Sequence, residues 1–327
     1  MTTRRDIICA MSAAAILAAT GTTGALAQSY PTKPVTMVVG YSAGGPTDLT
    51  ARFVAQRLSE KWGQPVVVEN RPGASGTLAG DYTARSEPDG YTILMGNNAA
   101  QGTYELLNPS KTPYKTLEAF EPVALVGLSP LVMVVGNDVP AASLSEFVAW
   151  AKDRPGEVNY ASAAVGSATQ LAAEFLSAEA GLDMEMIVYQ GAAPSLQSIV
   201  AGETQMYMGG FSTVSGQAEA GNLKMLAVAA DERIGVAPDL PTFKEEGVNI
   251  SYGSWFGIVA PSGVPTEILD QLNADVNEVL SSDEATVALQ GYGFVKALND
   301  RAGFRTMLEN RIASDAKLIE TAGIPTN

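Results

Sequence analysis

Short apolar runs alternate with amphipathic stretches along most of the chain. Val35 to Val39 form a continuous apolar run of the length expected for a buried strand. Residues 48–61 instead place apolar side chains at the three- and four-residue spacing of one helix face. The same alternation returns after residue 143. This pattern predicts an α/β fold built from βα units around mainly parallel sheets.

The individual elements follow from this periodicity and from turn and capping signals. The predicted strands are 35–39, 65–69, 91–95, 123–128, 131–135, 158–161, 186–189, 205–208 and 223–229. The predicted helices are 48–61, one that starts at the capping box Ser143–Glu146, 169–180, 194–201, a short one before residue 223, one opened by Pro265, and 300–320. Gly202 and Gly221 stand where helices end. Two βα series predict two lobes, with the chain crossing near 131–136 and 252–258.

The first 27 residues have the three parts of a secretory signal peptide. Arg4 and Arg5 precede an apolar stretch, and Ala25-Leu26-Ala27 ends it. We therefore predict export with cleavage after Ala27. The arginine pair loosely matches a twin-arginine signal, which remains the second route of export.

The lack of histidine, and of cysteine outside the predicted signal, restricts the catalytic and metal-binding chemistry open to this protein. The sequence contains no histidine, and its single cysteine, Cys9, lies in the predicted signal. Ser-His-Asp and Cys-His catalysis and zinc sites built on these residues are thereby excluded. The sequence also lacks a G-x-S-x-G elbow, and Ser314–Lys317 matches S-x-x-K only by chance within a helix. We predict no catalytic residue, no metal and no cofactor.

The charge balance excludes polyanionic partners. The chain has 20 Lys and Arg against 35 Asp and Glu, a net charge of −15. Removing residues 1–27 takes away two arginines and one aspartate, which leaves 18 against 34, or −16. Such a protein is repelled by nucleic acid and by anionic membrane surfaces.

Small-residue loops follow several predicted strands and open the next helices. Ser42–Asp48 is the first, and its glycines allow backbone N–H groups to converge at a helix start, which suits a carboxylate or a phosphate. Taken alone, this loop is more typical of a plain strand-to-helix turn than of a binding site. The design recurs at 162–170, 191–194 and 209–212, and Asn97, Asn98 and Gln101 follow another strand. Because ligands bind beyond the carboxyl ends of parallel strands, the recurrence favours a binding site.

Two further features have a structural interpretation. Arg71, within Asn70-Arg-Pro-Gly73, is predicted to hold its own loop rather than a ligand. Trp255 and Phe256, near the second crossing, are predicted to pack at a hinge.

The order of these motifs resembles the Bug family, the periplasmic substrate-binding proteins of tripartite tricarboxylate transporters. The matching segments are Tyr30–Pro34, Gly44–Asp48 with Ala51-Arg52, Val66–Gly73 with Ser75-Gly76, Pro88–Thr92, Tyr160–Ser162, Gly166-Ser167, Tyr189–Gly191, Ala193-Pro194, Ala201-Gly202, Leu240–Thr242 and Trp255–Gly257. They run in order through nearly all of the chain after residue 27. The resemblance is therefore specific.

The resemblance implies a two-lobed periplasmic binding protein-like (type II) fold. Each lobe would be a mainly parallel sheet flanked by helices, with the ligand cleft between lobes. Lobe 1 would comprise 28–131 and 256–327, and lobe 2 would comprise 132–255. The protein would be a periplasmic monomer and not an enzyme. It would capture a small organic carboxylate (a di- or tricarboxylate, an aromatic or an amino-acid carboxylate) and deliver it to integral membrane subunits.

Residue by residue, the family's loops and the strand-end residues give the predicted ligand-binding set. It consists of Ser42, Ala43, Gly44, Gly45, Thr47, Asn97, Asn98, Ser162, Ser167, Ala168, Thr169, Gln170, Tyr189, Gly191, Ala192, Ala193 and Gly210. Three positions depart from the family pattern. Gln190 and Gln170 replace a frequent Lys and His, and Gly209-Gly210 stands where an Asp is common. Loss of the Lys removes an attraction for an anionic ligand, and loss of the Asp removes a repulsion. These two effects oppose each other, so the identity of the carboxylate stays open.

Three alternatives remain at this stage. The same binder could present its ligand to a sensor instead of a transporter. An exported α/β hydrolase or transferase would need a nucleophile and a base, which the sequence does not offer. A binder of cations or neutral sugars is disfavoured because the candidate loops contain no aromatic platform except Phe211.

Overall fold

A computed structural model describes residues 30–163, 165–189, 191–291, 293–321 and 323–326. The predicted signal peptide and its cleavage site at Ala27 lie outside the described residues, as does Gln190. Residues 33–327 form one compact unit, separate from residues 1–32, and the account below concerns that unit.

The elements of the first part of the chain lead into one very long strand. They are β1 (Val35–Val39), α1 (Pro46–Trp62), β2 (Val66–Asn70), α2 (Thr77–Ala84), β3 (Thr92–Asn97), α3 (Tyr104–Leu107), α4 (Thr116–Ala119) and β4 (Phe120–Gly136). A second series of βα units follows. It consists of α5 (Leu144–Lys152), β5 (Val158–Ser162), α6 (Ala168–Ala180), β6 (Met184–Val188), α7 (Ala192–Val200), β7 (Met206–Gly210), α8 (Phe211–Glu219) and β8 (Leu223–Val228). The chain then returns through β9 (Gly253–Pro261), α9 (Thr266–Ser281), α10 (Asp283–Gly291), β10 (Val295–Lys296) and α11 (Arg301–Thr321).

The strands form one continuous mixed sheet with a parallel group at each end. Its order is β2-β1-β3-β9-β4-β7-β5-β6, and β8 and β10 also pair with β4. β1, β2 and β3 are parallel to each other, and so are β5, β6 and β7. We call the part of the sheet around the first group the first half and the part around the second group the second half. The predicted α/β class with mainly parallel groups is confirmed.

The strand directions make the carboxyl ends of the two groups face each other. β9 is antiparallel to both β3 and β4, so β3 and β4 run in the same direction, from the first half toward the second. β7 is antiparallel to β4 and therefore runs back toward the first half. We call the place where β4 and β9 connect the two halves the crossover. Loops that leave the carboxyl ends of the two groups consequently approach each other from opposite sides of this crossover. In open α/β sheets, ligands usually bind beyond the carboxyl ends of the strands.

The prediction of separate strands at 123–128 and 131–135 is wrong, because β4 is continuous. Ser129 and Pro130 lie where β4 exchanges β9 and β10 for β7 and β8 as neighbours. Proline is tolerated in a sheet where its missing N–H leaves no ladder bond unmade. At a point where the pairing partners change, the break in the apolar pattern does not end the strand.

Most other predicted elements are confirmed within a few residues, but the start of one helix differs and several elements were not predicted. α1 starts at Pro46 with Gly45 as its N-cap, two residues before the predicted start at residue 48. The helices α2, α3, α4 and α10 and the strands β9 and β10 were not predicted at all. The capping box is confirmed, since the Glu146 N–H donates to Ser143 Oγ at 3.1 Å.

The helix α11 contributes side chains to the cores of both halves. Its Phe304 and Leu308 are buried in a cluster with Trp255 of β9. Its Leu318 and Ile319 are buried in a different cluster, together with Phe147 of α5. The two halves are therefore connected by β4, by β9 and by this helix.

Candidate functional site

The facing edges of the sheet bring the predicted loops toward one another. From the first half come the loop after β1, the segment 71–76 after β2 and the segment 97–103 after β3. From the second half come the loops after β5, β6 and β7. The two sets approach each other at Gly166, where an added Cβ would lie 3.9 Å from Thr103 Cγ2. All of the predicted ligand-binding residues lie on these loops or on the first turns of the helices that follow.

The loop after β1 is shaped around a buried carboxylate. Asp48 is 1% exposed, and its Oδ2 accepts hydrogen bonds from the Gly44 N–H and from Arg52 Nε, both at 2.9 Å. Asn70 Nδ2 donates to Oδ1 of the same carboxylate at 2.8 Å. Burial alone would raise the pKa of Asp48, but the bonds from Arg52, Gly44 and Asn70 outweigh it and lower the pKa. Asp48 thus holds the loop while Arg52 balances its charge.

We expect Asp48→Asn to destabilise the protein by about 1–3 kcal/mol at pH 7, because the amide leaves buried donors without an acceptor. The folded pKa of Asp48 lies below the unfolded value of about 3.9. Its stabilisation is therefore complete above about pH 4 and is lost as the pH falls through the folded pKa. Urea denaturation at pH 7 and at about pH 3 measures this: the difference between the variants should shrink in acid.

The matched control for that experiment is Asp81→Asn. Asp81 also pairs with an arginine four residues later, Arg85, but that arginine is 72% exposed. Exposed pairs of this kind contribute about 0.3–0.5 kcal/mol. Equal losses in the two variants would show that the buried network around Asp48 has no special role.

Tyr41 and Ser75 belong to the site although the sequence did not indicate them. The Tyr41 hydroxyl lies within hydrogen-bonding distance of two acceptors, the Ser75 carbonyl at 2.9 Å and Asn97 Oδ1 at 3.1 Å. These contacts connect three loops of the first half. Burial raises the pKa of Tyr41 to about 12, although the bond with Asn97 opposes this, so the hydroxyl stays protonated. Ser75 and its neighbour Ala74 both have positive φ, 54° and 46°. Such strain in residues other than glycine is concentrated at functional sites.

The neighbouring residues Asn97 and Asn98 have different roles. Asn97 Oδ1 accepts from the N–H groups of Ala99 and Ala100, at 3.1 and 3.2 Å, in addition to the Tyr41 hydroxyl. Asn97 therefore shapes the turn. Asn98 is only 3% exposed, and its Nδ2 has no hydrogen-bond partner among the described residues. A buried amide without an acceptor is costly, so Asn98 offers a donor to whatever occupies the site.

In the second half, the loop after β5 is held by its own hydroxyls. Ser167 Oγ caps α6 by accepting from the Gln170 N–H at 3.3 Å, and it lies 2.8 Å from Thr169 Oγ1 and 3.3 Å from the buried Ser162 Oγ. Gln170 Oε1 accepts from the Gly166 N–H at 2.7 Å. These predicted ligand residues thus also fix the loop, with Ala168 packed at the start of the helix.

The two remaining loops present helix starts rather than side chains. Gly191 is the N-cap of α7, with φ of 111°, and Ala192 and Ala193 form its first turn. Gly210 is the N-cap of α8 and lies beside Ser129 of the crossover. The Tyr189 hydroxyl points to Glu203 Oε2, 3.4 Å away. Tyr189 therefore does not direct its hydroxyl into the group of loops.

The site can attract an anion without a cationic side chain. All of the predicted ligand-binding residues are uncharged at pH 7. However, α1, α6, α7 and α8 all begin on these loops. Each helix start carries free N–H groups and a partial positive charge, which favours carboxylates and phosphates.

Arg71 holds its own loop as predicted, and Trp255 packs in the core, while its place at a hinge stays a prediction. Arg71 forms an ion pair with Glu69 at 2.7 Å, and its guanidinium lies 3.5 Å from the centre of the Tyr82 ring. Trp255 is buried and packs edge-on against Phe304. Within the described part of the chain, no cluster of acidic, histidine or cysteine side chains is suited to a metal ion. No helix in that part is both long and apolar enough to cross a membrane.

Comparison with known proteins decides the family. The sequence model for "Tripartite tricarboxylate transporter family receptor" matches residues 50–324. The chain belongs to this receptor family. The predicted resemblance to Bug proteins is confirmed as well: BugT of Bordetella pertussis is 34% identical over 298 residues, which cover 91% of each chain.

Solved structures of similar proteins agree with the receptor's fold. Rpa4515 of R. palustris, solved with adipate, is 34% identical with a TM-score of 0.82, and the match covers 91% of the receptor and 100% of that chain. MatC of Rhodopseudomonas palustris, solved with bound malate, is 30% identical with a TM-score of 0.76, over 89% and 100% of the two chains. The receptor is thus a periplasmic binding protein of the Bug type, a class that captures solutes rather than converting them.

Proposed function

We propose that the receptor captures a small organic carboxylate between two lobes and delivers it, as a periplasmic monomer, to the membrane subunits of a tripartite tricarboxylate transporter. In this proposal lobe 1 comprises residues 28–131 and 256–327, and lobe 2 comprises 132–255. The chain is exported by the signal in residues 1–27 and cleaved after Ala27. N-terminal sequencing of the secreted protein tests the cleavage.

The observation that carries the proposal is the convergence of neutral donors from two facing sheet edges. Four helix starts, and Asn98 with its buried Nδ2 that has no partner among the described residues, lie on the loops that leave these two edges. Charge-assisted hydrogen bonds from such donors contribute roughly 1.5–3 kcal/mol each. A few of them, less the cost of closure, suffice for about micromolar affinity.

The ligands of the relatives support the chemical class. Adipate and malate are both aliphatic dicarboxylates, and both accompany proteins with at least 30% identity to the receptor. Two carboxylates also match a site with donors on two opposite edges, since each lobe can hold one end of the ligand. We therefore place aliphatic dicarboxylates first among the candidate ligands.

The two lobes should close on the ligand, because hydrogen-bond donors lie on both of them. A ligand that contacts both lobes gains its full set of hydrogen bonds only when the lobes are closed, so it shifts the population toward the closed state. The crossover strands β4 and β9 are the elements about which the lobes would move.

A thermal-shift screen of residues 28–327 tests the proposal. The panel contains adipate, malate, tricarboxylates, aromatic acids and acidic amino acids, with sugars and amines as controls. A ligand present at 100 times its dissociation constant stabilises by about 2.7 kcal/mol, which raises the melting temperature by a few degrees. We expect a shift confined to one carboxylate class. No shift with any acid, or a shift with a sugar or an amine, would contradict the proposal.

A further inference from the structure

A buried carboxylate in α11 connects the predicted ligand segment to the crossover. Asp315 is 1% exposed. Its Oδ2 accepts from the Thr103 hydroxyl at 3.3 Å, and its Oδ1 accepts from the Tyr252 hydroxyl at 3.0 Å. Arg311 Nε lies 3.3 Å from the same Oδ1. One side chain thus joins three parts of the chain that are far apart in sequence.

The Thr103 side of this network leads directly into the candidate site. The Thr103 N–H donates to the Asn98 carbonyl at 2.9 Å and closes the turn 98–103. The side-chain amide nitrogen of Asn98 is buried and has no partner among the described residues, and the same holds for Gln101 in this turn. The position of Thr103 therefore helps to fix the backbone of Asn98, and with it the side-chain amide of that residue.

The Tyr252 side leads to the point where the two halves join. The Tyr252 N–H donates to Ala229 O at 2.9 Å, and the Tyr252 carbonyl accepts from Leu131 N–H at 3.3 Å, which links β4, β8 and the start of β9. Arg311 holds the same point, since its Nη2 donates to Gly253 O at 2.5 Å and its guanidinium lies 3.7 Å from the centre of the Tyr252 ring.

The crossover has empty space behind it. A cavity of about 400 Å³ borders Tyr252, Gly253 and Arg311 on one side and Leu128 and Pro130 on the other. Successive side chains of a strand point to opposite faces. Ser129 lies beside Gly210 of the site, so Leu128 and Pro130 face away from the site. The cavity therefore lies on the face of the strands opposite to the candidate site.

We propose that Asp315 is a positioning residue that couples the ligand segment 98–103 to the hinge at Tyr252. A change in the crossover moves the Tyr252 hydroxyl, and the rigid carboxylate of Asp315 passes this displacement to Thr103 and hence to Asn98. In the opposite direction, a ligand bound to Asn98 favours the crossover geometry in which all of these bonds are made. The effect on ligand affinity rests on the proposed function, whereas the mechanical coupling does not.

The coupling is tested first without any ligand, by hydrogen exchange of the backbone amides. The variants are Thr103→Val and Tyr252→Phe, which remove one hydroxyl each with little change of shape. Although Tyr252 lies at the hinge, we expect Tyr252→Phe to speed hydrogen exchange in the segment 98–103 about tenfold. The reason is that loss of a hydrogen bond to a charged group lowers the local stability by enough for such an increase. The control is Tyr160→Phe, which removes a buried hydroxyl bonded to Glu174 within the second half.

The second readout is affinity for adipate and for malate, measured by titration. Thr103→Val and Tyr252→Phe should each weaken binding about tenfold, while Tyr160→Phe lowers only the melting temperature. Because either substitution already interrupts the chain of contacts, the double variant should bind about as well as the single variants. A merely structural role would instead lower stability in all three variants and leave affinity unchanged.

Two results would overturn the proposal. The first is unchanged exchange in segment 98–103 of Tyr252→Phe, or an equal increase in Tyr160→Phe. The second is an additive, about hundredfold, loss of affinity in the double variant. If neither acid binds the unmodified protein, the proposed ligand class fails, and the exchange experiment still decides the coupling.

Discussion

We expect Gly45→Asp to abolish carboxylate binding and to leave the fold intact. Gly45 has φ of −81°, and an added Cβ would meet only Ser42 O at 3.7 Å, so a side chain fits. Aspartate is a preferred N-cap, and its carboxylate would accept the N–H groups of the first turn of α1. Those are the donors proposed for the ligand. The variant thus satisfies them internally and adds a negative charge beside Asp48.

The expected loss of affinity is at least about hundredfold, or about 2.7 kcal/mol. Isothermal titration with the best acid of the panel measures it. Gly45→Ala leaves the donors free and should bind within a few-fold of the unmodified protein. Gly45→Asn can cap the helix without a charge and should lie between the two. Unchanged affinity in a folded Gly45→Asp variant would refute the role of this helix start.

Gly40→Ala should lower the free energy of unfolding by about 1–3 kcal/mol, the usual cost of overpacking a core. A Cβ on Gly40 would lie 2.6 Å from Gly76 Cα and 3.0 Å from Gly76 O. Both atoms belong to the backbone, so no rotamer change relieves the contact. The loop after β1 and the segment 73–76 must then separate, and the Tyr41 bond to the Ser75 carbonyl should weaken with them.

Urea denaturation at pH 7 measures this loss, with Gly216→Ala as the control. Gly216 lies inside α8, and nothing would lie within 4 Å of its added Cβ. Alanine there should stabilise the protein by about 0.4–1 kcal/mol, because it reduces the freedom of the unfolded chain. A Gly40→Ala variant as stable as the unmodified protein would show that the two loops are not in fixed contact.

The local pattern of apolar and polar residues was sufficient to predict most of the strands and the longest helices. β1 is predicted to the residue, because its side chains are apolar and buried along nearly its whole length. Loops such as 162–170 were visible because small residues and a helix cap occur together there. What pattern could not show is the pairing of β4, since Ser129 and Pro130 look like a break unless their neighbours in the sheet are known.

The roles within the site depend on contacts that the sequence does not encode locally. Asn97 and Asn98 are chemically identical, and only the turn geometry makes one an internal acceptor and the other an unpartnered donor. Tyr41 had no motif to mark it. The contact between Thr103 and Asp315 joins positions 212 residues apart, beyond the reach of any periodicity.

The helix α11 also governs when the protein can fold. Residues 301–321 follow the strands of both halves in the chain, yet Phe304 and Leu308 complete one core, and Leu318 and Ile319 complete the other. A chain that lacks this helix leaves apolar surface of both halves open to water, so neither half has a finished core to fold around. The two cores are therefore completed together, and only after residues 301–321 have been made.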